Sequence, residues 1–205
     1  EWGKMVEQLE DGQAKAAEVE GVDVVAVTAW LAERVEHLAT PLSFELLAGG
    51  HSNLTYRVTD ATGAAYVLRR PPLGHVLQSA HDMGREHKIV SALQGSTVPV
   101  ATTVGMCADV EVNDAPFYVM NYVAGPVLHD HDAAAALSTA NRASLGIHVI
   151  DVLAALHSIN PDEVGLGDLG RKEAYLQRQM KRWVTQWQAT ETHKVPAMDE
   201  STRLL

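Results

Sequence analysis

The residues of this sequence that are best suited to chemistry begin with a glycine run, Gly49-Gly50-His51-Ser52-Asn53. Paired glycines allow positive φ angles and let the backbone approach a ligand closely. Backbone N–H groups and the Ser52 hydroxyl could then face phosphate oxygens. A plain β-hairpin uses the same residue types, and the run lacks the Gly-Lys-Ser/Thr spacing of a P-loop. The run alone therefore predicts a turn and leaves phosphate binding open.

A pair of arginines follows at the end of an apolar run, Tyr66-Val67-Leu68-Arg69-Arg70. Because side chains alternate along a strand, Arg69 shares a face with Val67, and Arg70 lies on the opposite face. One of the two arginines therefore points inward or into a cleft. The alternative is an arginine at a strand end that extends its guanidinium to water.

Glu86 is the acid that could meet this cation. It lies three, four and seven residues before Ile89, Val90 and Leu93, on the apolar stripe of its own helix. A buried carboxylate costs several kcal/mol unless it is paired, so we expect this helix to dock against Arg69. The alternative places Glu86 at the edge of the stripe, where the helix dipole favours an acid.

The elements that position these residues follow from the hydrophobic period. Asp23 is expected to cap a helix that runs through His37, and three antiparallel strands follow between residues 43 and 70. Residues 60–63 have the composition of the hairpin turn. Ser79 and Asp82 resemble a capping box that opens the Glu86 helix, which Gly95 ends. Further strands are expected at 101–106 and 115–121, and further helices at 141–158 and 171–190.

This order of elements indicates an α+β fold, with an antiparallel sheet of about five strands and a helix followed by a helical region. We expect four segments: a poorly packed lead-in at 1–22, a sheet domain at 23–121, a hinge at 122–126 and a helical region at 127–205. The Gly125-Pro126 pair marks the hinge.

Composition excludes several kinds of partner. The formal net charge is −10 and no cluster of Lys and Arg occurs, so we expect no nucleic-acid or anionic-membrane partner. The single cysteine, Cys107, excludes an intrachain disulfide and fits a cytoplasmic protein. No apolar run reaches the roughly 20 residues that span a bilayer, and the first residues lack a signal-peptide pattern. The absence of an initiator methionine suggests a clipped N-terminus.

Three other features favour plain structural roles. His157 lies at helical spacing with Leu153 and Leu156 and is expected to pack or cap its helix. The segment 128–132 has metal-ligand residue types without a third defined ligand, which is typical of a solvated surface. Trp183 and Trp187 could line a pocket, but their helical spacing favours a core.

Four motifs give the sequence a family resemblance. They are Gly49-Gly50-His51-Ser52-Asn53, Val67-Leu68-Arg69-Arg70-Pro71-Pro72, Ala80-His81-Asp82-Met83-Gly84-Arg85-Glu86 and Phe117-Tyr118-Val119-Met120-Asn121-Tyr122-Val123-Ala124-Gly125. In this order the motifs resemble the aminoglycoside-phosphotransferase-like family, in the branch related to the kinase-like domains fused to acyl-CoA dehydrogenases. The resemblance covers about residues 24–190. It implies a protein-kinase-like N-lobe followed by the first helices of a helical C-lobe.

The resemblance also implies a nucleotide-binding set, which comprises Gly49, Gly50, His51, Ser52, Asn53, Val67, Arg69, Glu86, Met120, Asn121 and Val123. The glycine run would cover the phosphates, and Arg69 would hold them with Glu86 as its partner. Met120 would lie behind the base, and the Asn121 carbonyl and the Val123 N–H would bond its edge. Because Arg69 stands where relatives carry Lys, the choice between ATP and GTP stays open.

The implied activity is phosphoryl transfer from ATP or GTP, with Mg²⁺, to a hydroxyl of a small molecule. The sequence contains no His-Gly-Asp or His-Arg-Asp loop, so we expect the catalytic aspartate and the metal ligands downstream of Leu205 and expect this chain alone to be inactive. One alternative is a short non-catalytic nucleotide- or partner-binding module, which should be an oligomer. Another is a structural module without a ligand. The acceptor, the oligomeric state and any role in antibiotic resistance stay open.

Overall fold

The computed structural model describes residues 19–47, 53–74, 81–128 and 130–204. The chain forms two compact units, residues 1–166 and 167–205. The predicted lead-in at 1–22 falls largely outside the described residues, and the predicted hinge at 122–126 stays a prediction.

The first unit contains a five-stranded antiparallel sheet, in the order β1-β2-β3-β5-β4. Its strands are β1 Ser43–Leu46, β2 Leu54–Thr59, β3 Ala65–Arg70, β4 Thr103–Cys107 and β5 Phe117–Asn121. Its described helices are α1 Val24–Ala32, α2 Met83–Ala92, α3 His131–Ala135 and α4 Thr139–His157. This architecture confirms the predicted α+β fold with five strands.

One face of the sheet, here called the back face, carries the apolar core with α1. Its residues are Tyr56, Val58, Leu68, Arg70, Phe117 and Val119. Leu31 of α1 is fully buried against this face, and the Trp30 ring meets the Phe117 ring edge-on at 4.9 Å between centroids. Burial of these apolar side chains contributes about 1.5–3 kcal/mol each. The back face therefore holds the sheet and α1 together.

The opposite face, here called the front face, packs against α2. Its residues are Thr55, Arg57, Val67, Arg69, Tyr118 and Met120. Polar contacts join α2 and the turn after it to β4: the Ser91 hydroxyl lies 3.0 Å from the Thr103 hydroxyl, and the Gln94 amide donates to the Thr103 hydroxyl at 2.7 Å. Adjacent residues of one strand thus face two different environments.

The predicted hairpin turn at 60–63 is confirmed. The Asp60 carboxylate accepts hydrogen bonds from the Thr62 N–H at 2.8 Å, the Thr62 hydroxyl at 2.7 Å and the Ala64 N–H at 2.9 Å. The Thr62 hydroxyl is the main reason that the pKa of Asp60 is lowered. Gly63 takes a φ of 92°, which side chains rarely adopt.

Helix boundaries differ from the sequence expectation at several places: α4 covers Thr139–His157 instead of 141–158, and the helix predicted from 171 begins at Tyr175. Asp23 does cap α1 by accepting from the Ala26 N–H at 2.9 Å. The predicted end at His37 is wrong: α1 stops at Ala32, and His37 has a φ of 60°. The predicted capping box is also wrong, because Asp82 itself is the N-cap of α2 and accepts from the Arg85 N–H at 2.9 Å. Ser79 lies outside the described residues.

The end of α2 agrees with the sequence. The helix stops at Ala92, and Gly95 has a φ of 80°, as expected of a glycine that ends a helix. The short α3 was missed because five residues are too few for a periodic pattern, and its start is fixed by the Asp130 side chain, which accepts from the Ala133 N–H at 2.7 Å.

The long helix α4 carries many exposed apolar side chains. They include Leu145, Ile147, Val149, Ile150, Leu153 and Leu156. His157 lies in its last turn, as the sequence indicates, and is exposed. No described helix of the chain is long and apolar enough to cross a membrane.

The second unit contains α5 Tyr175–Thr190 and α6 Pro196–Leu204, of which α6 was not predicted. Trp183 is 60% exposed, so its expected place in a core is wrong. Helical spacing identifies an apolar stripe but not whether another element covers it. Arg203 and Glu200 form an exposed ion pair on α6, with 2.6 Å between Nη2 and Oε1.

Candidate functional site

The Glu86 carboxylate is the centre of a polar cluster on the front face of the sheet. Its Oε2 accepts from Arg69 Nε at 3.1 Å and from the Tyr118 hydroxyl at 3.2 Å. Its Oε1 accepts from Asn53 Nδ2 at 2.7 Å. The Asn53 Oδ1 in turn lies 2.6 Å from His81 Nδ1. We call these five residues the Glu86 cluster.

Three elements bring the cluster together. Arg69 and Tyr118 are register partners on β3 and β5, so their side chains point to the same face. Glu86 lies in the first turn of α2, directly after the Asp82 cap. The predicted pairing of Arg69 with Glu86 is therefore confirmed. The alternative, in which the helix start alone accounts for the acid, is not sufficient, because three side chains donate to this carboxylate.

The cluster is partly open to solvent. The Arg69 and Glu86 side chains are 30% and 33% exposed. Ion pairs of this exposure contribute about 0–1 kcal/mol to folding. The pair therefore adds little to stability, and its guanidinium stays accessible to an anion.

Tyr118 acts as a hydrogen-bond donor at any physiological pH. Burial is the main cause that raises the pKa of Tyr118 to about 12; the charge of Arg69 opposes the rise, and Glu86 adds to it. The hydroxyl therefore stays protonated and donates to Glu86, whose ionised carboxylate can only accept.

The front face also contains two neighbouring apolar side chains beside the cluster, those of Val67 and Met120. Val67 is 6% exposed and lies opposite the half-buried Met120 in the register of β3 and β5. The Asn121 N–H donates to the Thr102 carbonyl at 2.8 Å, and Val123 is 71% exposed. The predicted base-binding residues thus lie on β3 and β5, which also carry Arg69 and Tyr118 of the cluster, or in the segment that follows β5.

Four of the predicted site residues cannot be placed. Gly49, Gly50, His51 and Ser52 lie outside the described residues, so their predicted contact with phosphate stays a prediction. Asn53, the last residue of the run, is described and is 7% exposed.

Three residues of this region were missed by the sequence reasoning. Tyr118 and His81 belong to the Glu86 cluster, and the Arg57 guanidinium lies 4.7 Å from the centre of the Tyr122 ring. Strand alternation fixes the face of β5 to which Tyr118 points, but only the pairing of β3 with β5 shows that this face also holds Arg69. For His81 the local sequence carries no signal.

The described part of the chain contains no group of three or more His, Cys, Asp or Glu side chains that could hold a metal ion.

Comparison with known proteins identifies the family. Residues 43–205 match the model of the phosphotransferase enzyme family, which is more than half of the chain. This chain belongs to the phosphotransferase enzyme family. The matched region includes all five strands of the sheet and all five residues of the Glu86 cluster.

The curated relatives of this phosphotransferase-family chain include named acyl-CoA dehydrogenases. It is 37% identical over 151 residues to acyl-CoA dehydrogenase family member 11 of Mus musculus, covering 74% of this chain and 19% of the relative. It is 32% identical over 163 residues to family member 10 of Mus musculus, covering 80% of this chain and 15% of the relative. It is 33% identical to the probable acyl-CoA dehydrogenase IBR3 of Arabidopsis thaliana, covering 76% and 20%.

A solved structure supports the same assignment. It is that of a Ralstonia eutropha protein provisionally named an aminoglycoside phosphotransferase, with a TM-score of 0.72 and 36% identity. The match covers 88% of this phosphotransferase-family chain and 52% of the solved one. The chain thus spans about half of that structure and no more than about a fifth of the acyl-CoA dehydrogenase relatives named here.

Proposed function

We propose that this chain carries the nucleotide-binding half of an ATP- or GTP-dependent phosphotransferase that acts on a hydroxyl of a small molecule. The observation that carries the proposal is the partly exposed Arg69–Glu86 pair, which lies on the front face beside the apolar side chains of Val67 and Met120. Membership of the phosphotransferase enzyme family supports the reaction class.

Arg69 is suited to bind the phosphates. A guanidinium offers five donors in a planar fork, which matches two phosphate oxygens at once. The position of Arg69 on β3 directs its side chain to the front face, and its Nε donates to Glu86 Oε2 at 3.1 Å. The terminal Nη groups can then face an anion, and their charge can offset the negative charge that develops during phosphoryl transfer.

The apolar side chains of Val67 and Met120 are suited to pack against the base. Val67 and Met120 lie side by side on β3 and β5, where a flat aromatic ring could cover both. The chain leaves the sheet immediately afterwards, and the backbone groups of Asn121 and Val123 would bond the edge of the base. The glycine run, Gly49 to Ser52, which lies in the sequence between β1 and β2, would cover the phosphates.

The nucleotide would enter as its magnesium complex. The metal would reduce the charge repulsion between the phosphates, and its ligands and the catalytic aspartate are expected outside these 205 residues. The role of this chain would be to bind and orient the nucleotide.

The proposal is tested by calorimetric titration of the chain with MgATP and with MgGTP. Arg69→Ala removes a charge-assisted phosphate contact of about 1.5–3 kcal/mol, which corresponds to a loss of affinity of about 10- to 100-fold. Arg69→Lys keeps the charge but not the fork, so its affinity should lie between those of Arg69→Ala and the wild type.

A matched control is Arg203→Ala, which breaks another arginine–glutamate pair with the same chemical change. Its nucleotide affinity should equal that of the wild type. Equal affinities of Arg69→Ala and the wild type would overturn the proposed role of Arg69, and no binding of either nucleotide to the wild type would overturn the proposed function.

A second candidate is a non-catalytic module that binds nucleotide or a partner. The exposed apolar side chains of α4 favour it, because large apolar patches are commonly covered by a partner. Light scattering tests it: this candidate requires a stable oligomer, whereas a monomer that binds nucleotide would favour the enzyme half.

A further inference from the structure

Asn53 is the last residue of the glycine run, and a position in that run suggests contact with phosphate. Its side chain, however, is hydrogen-bonded to Glu86 and His81. Its Nδ2 donates to Glu86 Oε1 at 2.7 Å, and its Oδ1 lies 2.6 Å from His81 Nδ1. The side chain is thus hydrogen-bonded at both ends, and the residue is 7% exposed.

We propose that Asn53 is a positioning residue, which holds Glu86 through the carboxylate oxygen that Arg69 does not use and acts on the nucleotide only through that pair. This inference rests on the proposed function. It assigns to Asn53 a role different from direct contact with phosphate.

The two oxygens of Glu86 divide the contacts between them. Oε2 accepts hydrogen bonds from Arg69 and Tyr118, and Oε1 accepts one from Asn53. A carboxylate bonded through one oxygen alone can rotate about its last side-chain bond, since that torsion is broad. With Asn53 on the second oxygen, the carboxylate plane is fixed, and the direction in which it holds the Arg69 guanidinium is fixed as well.

His81 determines which end of the Asn53 amide faces Glu86. An ionised carboxylate only accepts hydrogen bonds, so Asn53 must present its NH₂ group to Glu86 and its oxygen to His81. His81 must then carry a proton on Nδ1 and donate it. His81 therefore donates a hydrogen bond to Asn53, and Asn53 donates one to Glu86. Each donor in this chain meets an acceptor.

These contacts join two segments that are distant in the sequence. Asn53 is the last residue of the glycine run and precedes β2, whereas His81 and Glu86 lie at the start of α2. A shift of Asn53 relative to α2 would break its bond to Glu86. The arrangement therefore couples the position of Asn53, directly before β2, to the orientation of Arg69.

An exchange of polarity tests the proposal. Asn53→Asp places two carboxylates in contact, and Glu86→Gln removes the charge that holds Arg69. Each change alone should weaken MgATP binding about 10-fold, the equivalent of one charge-assisted contact. In the double variant N53D/E86Q, the new amide at position 86 donates to the new carboxylate at position 53, and its oxygen accepts from Arg69 and Tyr118. The pair is restored with the charge moved to the neighbouring side chain, so most of the loss should be recovered.

Direct contact between Asn53 and phosphate predicts the opposite result. An aspartate at position 53 would then repel the nucleotide whatever stands at position 86, and the losses of the two single variants would multiply to about 100-fold. That outcome would overturn the positioning role. Asn141→Asp, the same change on α4, is the control and should leave affinity unchanged.

Urea unfolding of the wild type, the two single variants and the double variant separates this inference from the proposed function. Direct bonding of Asn53 to Glu86 predicts that the double variant is more stable than the sum of the single changes allows. If that coupling appears and the wild type binds no nucleotide, the proposed function fails and the contact stands. If the double variant shows no coupling in stability or in affinity, the positioning role fails.

A variant that does not fold still leaves the inference testable. If Asn53→Asp is unfolded, Asn53→Ala replaces it. A positioning role predicts that Glu86→Gln lowers affinity in the Asn53→Ala background by less than about 3-fold, because the two residues act as a unit. A further loss of about 10-fold, as expected of independent contacts, would contradict it.

Discussion

The two faces of the sheet use adjacent residues of the same strands for different purposes. On β5, Phe117 is fully buried against α1, whereas its neighbour Tyr118 bonds to Glu86 on the other face. On β3, Arg70 is 5% exposed and donates to the backbone carbonyls of Gly21 and Pro71, whereas Arg69 is paired with a partly exposed carboxylate.

This difference separates stability from binding. Arg70 is buried with its donors directed at backbone carbonyls, and that burial lowers its pKa, so it is not available to a ligand. Arg69 is held through Nε, which keeps its Nη groups available. Strand alternation thus lets one strand support the core with one residue and build a site with the next.

The largest expected difference between the two faces is in the β5 pair. Phe117→Ala leaves a cavity in the core and should lower the free energy of unfolding by about 3–5 kcal/mol. Tyr118→Phe keeps the ring and loses one hydrogen bond, which should cost about 1 kcal/mol. Urea unfolding measures both. Equal losses would mean that the front face contributes to the core as much as the back face does.

The arginine pair gives the next largest effect. Arg70→Met leaves two carbonyls without their donor and should lower the free energy of unfolding by about 2–3 kcal/mol, while nucleotide affinity of the folded fraction stays unchanged. Arg69→Met should do the reverse, with a stability loss below about 1 kcal/mol. Unfolding curves and calorimetric titrations of both variants give the comparison. A loss of nucleotide affinity in Arg70→Met would contradict this separation of stability from binding.

The smallest effect concerns pH and the front face. His87 lies on α2 with its ring 6.0 Å from the Tyr118 ring, and burial lowers its pKa from the ordinary value of 6.5. Below pH 6.5 the unfolded chain therefore binds a proton that the folded chain resists, so this residue makes the protein less stable as the pH falls.

His87→Gln should remove that part of the pH dependence. The check is the free energy of unfolding measured between about pH 7 and pH 5. His37→Gln, at an exposed turn after α1, serves as the control and should keep the slope of the wild type. An unchanged slope in His87→Gln would show that the front face does not bury this ring.

Local patterns were sufficient to predict part of the site. The Arg69–Glu86 pair followed from strand alternation and helical spacing, because each pattern left a charge that needed a partner. The hairpin at Asp60 and the end of α2 shortly before Gly95 also followed from local chemistry, as did the number of strands.

The remaining features depend on contacts that the local sequence does not encode. Tyr118 lies beside Arg69, and so reaches Glu86, because β5 pairs with β3. The local sequence of neither strand predicts that pairing. His81 meets Asn53 because α2 docks on the front face. For Trp183, periodicity gave a stripe without showing what, if anything, covers it.

Hydrogen exchange with and without MgATP tests the central claim that the front face binds the nucleotide. We expect slower exchange in peptides that cover 53–57 and 118–123, and no change in the peptide that covers α1 on the back face. No change in the first two peptides at saturating MgATP, or equal slowing in α1, would contradict the assignment of binding to the front face.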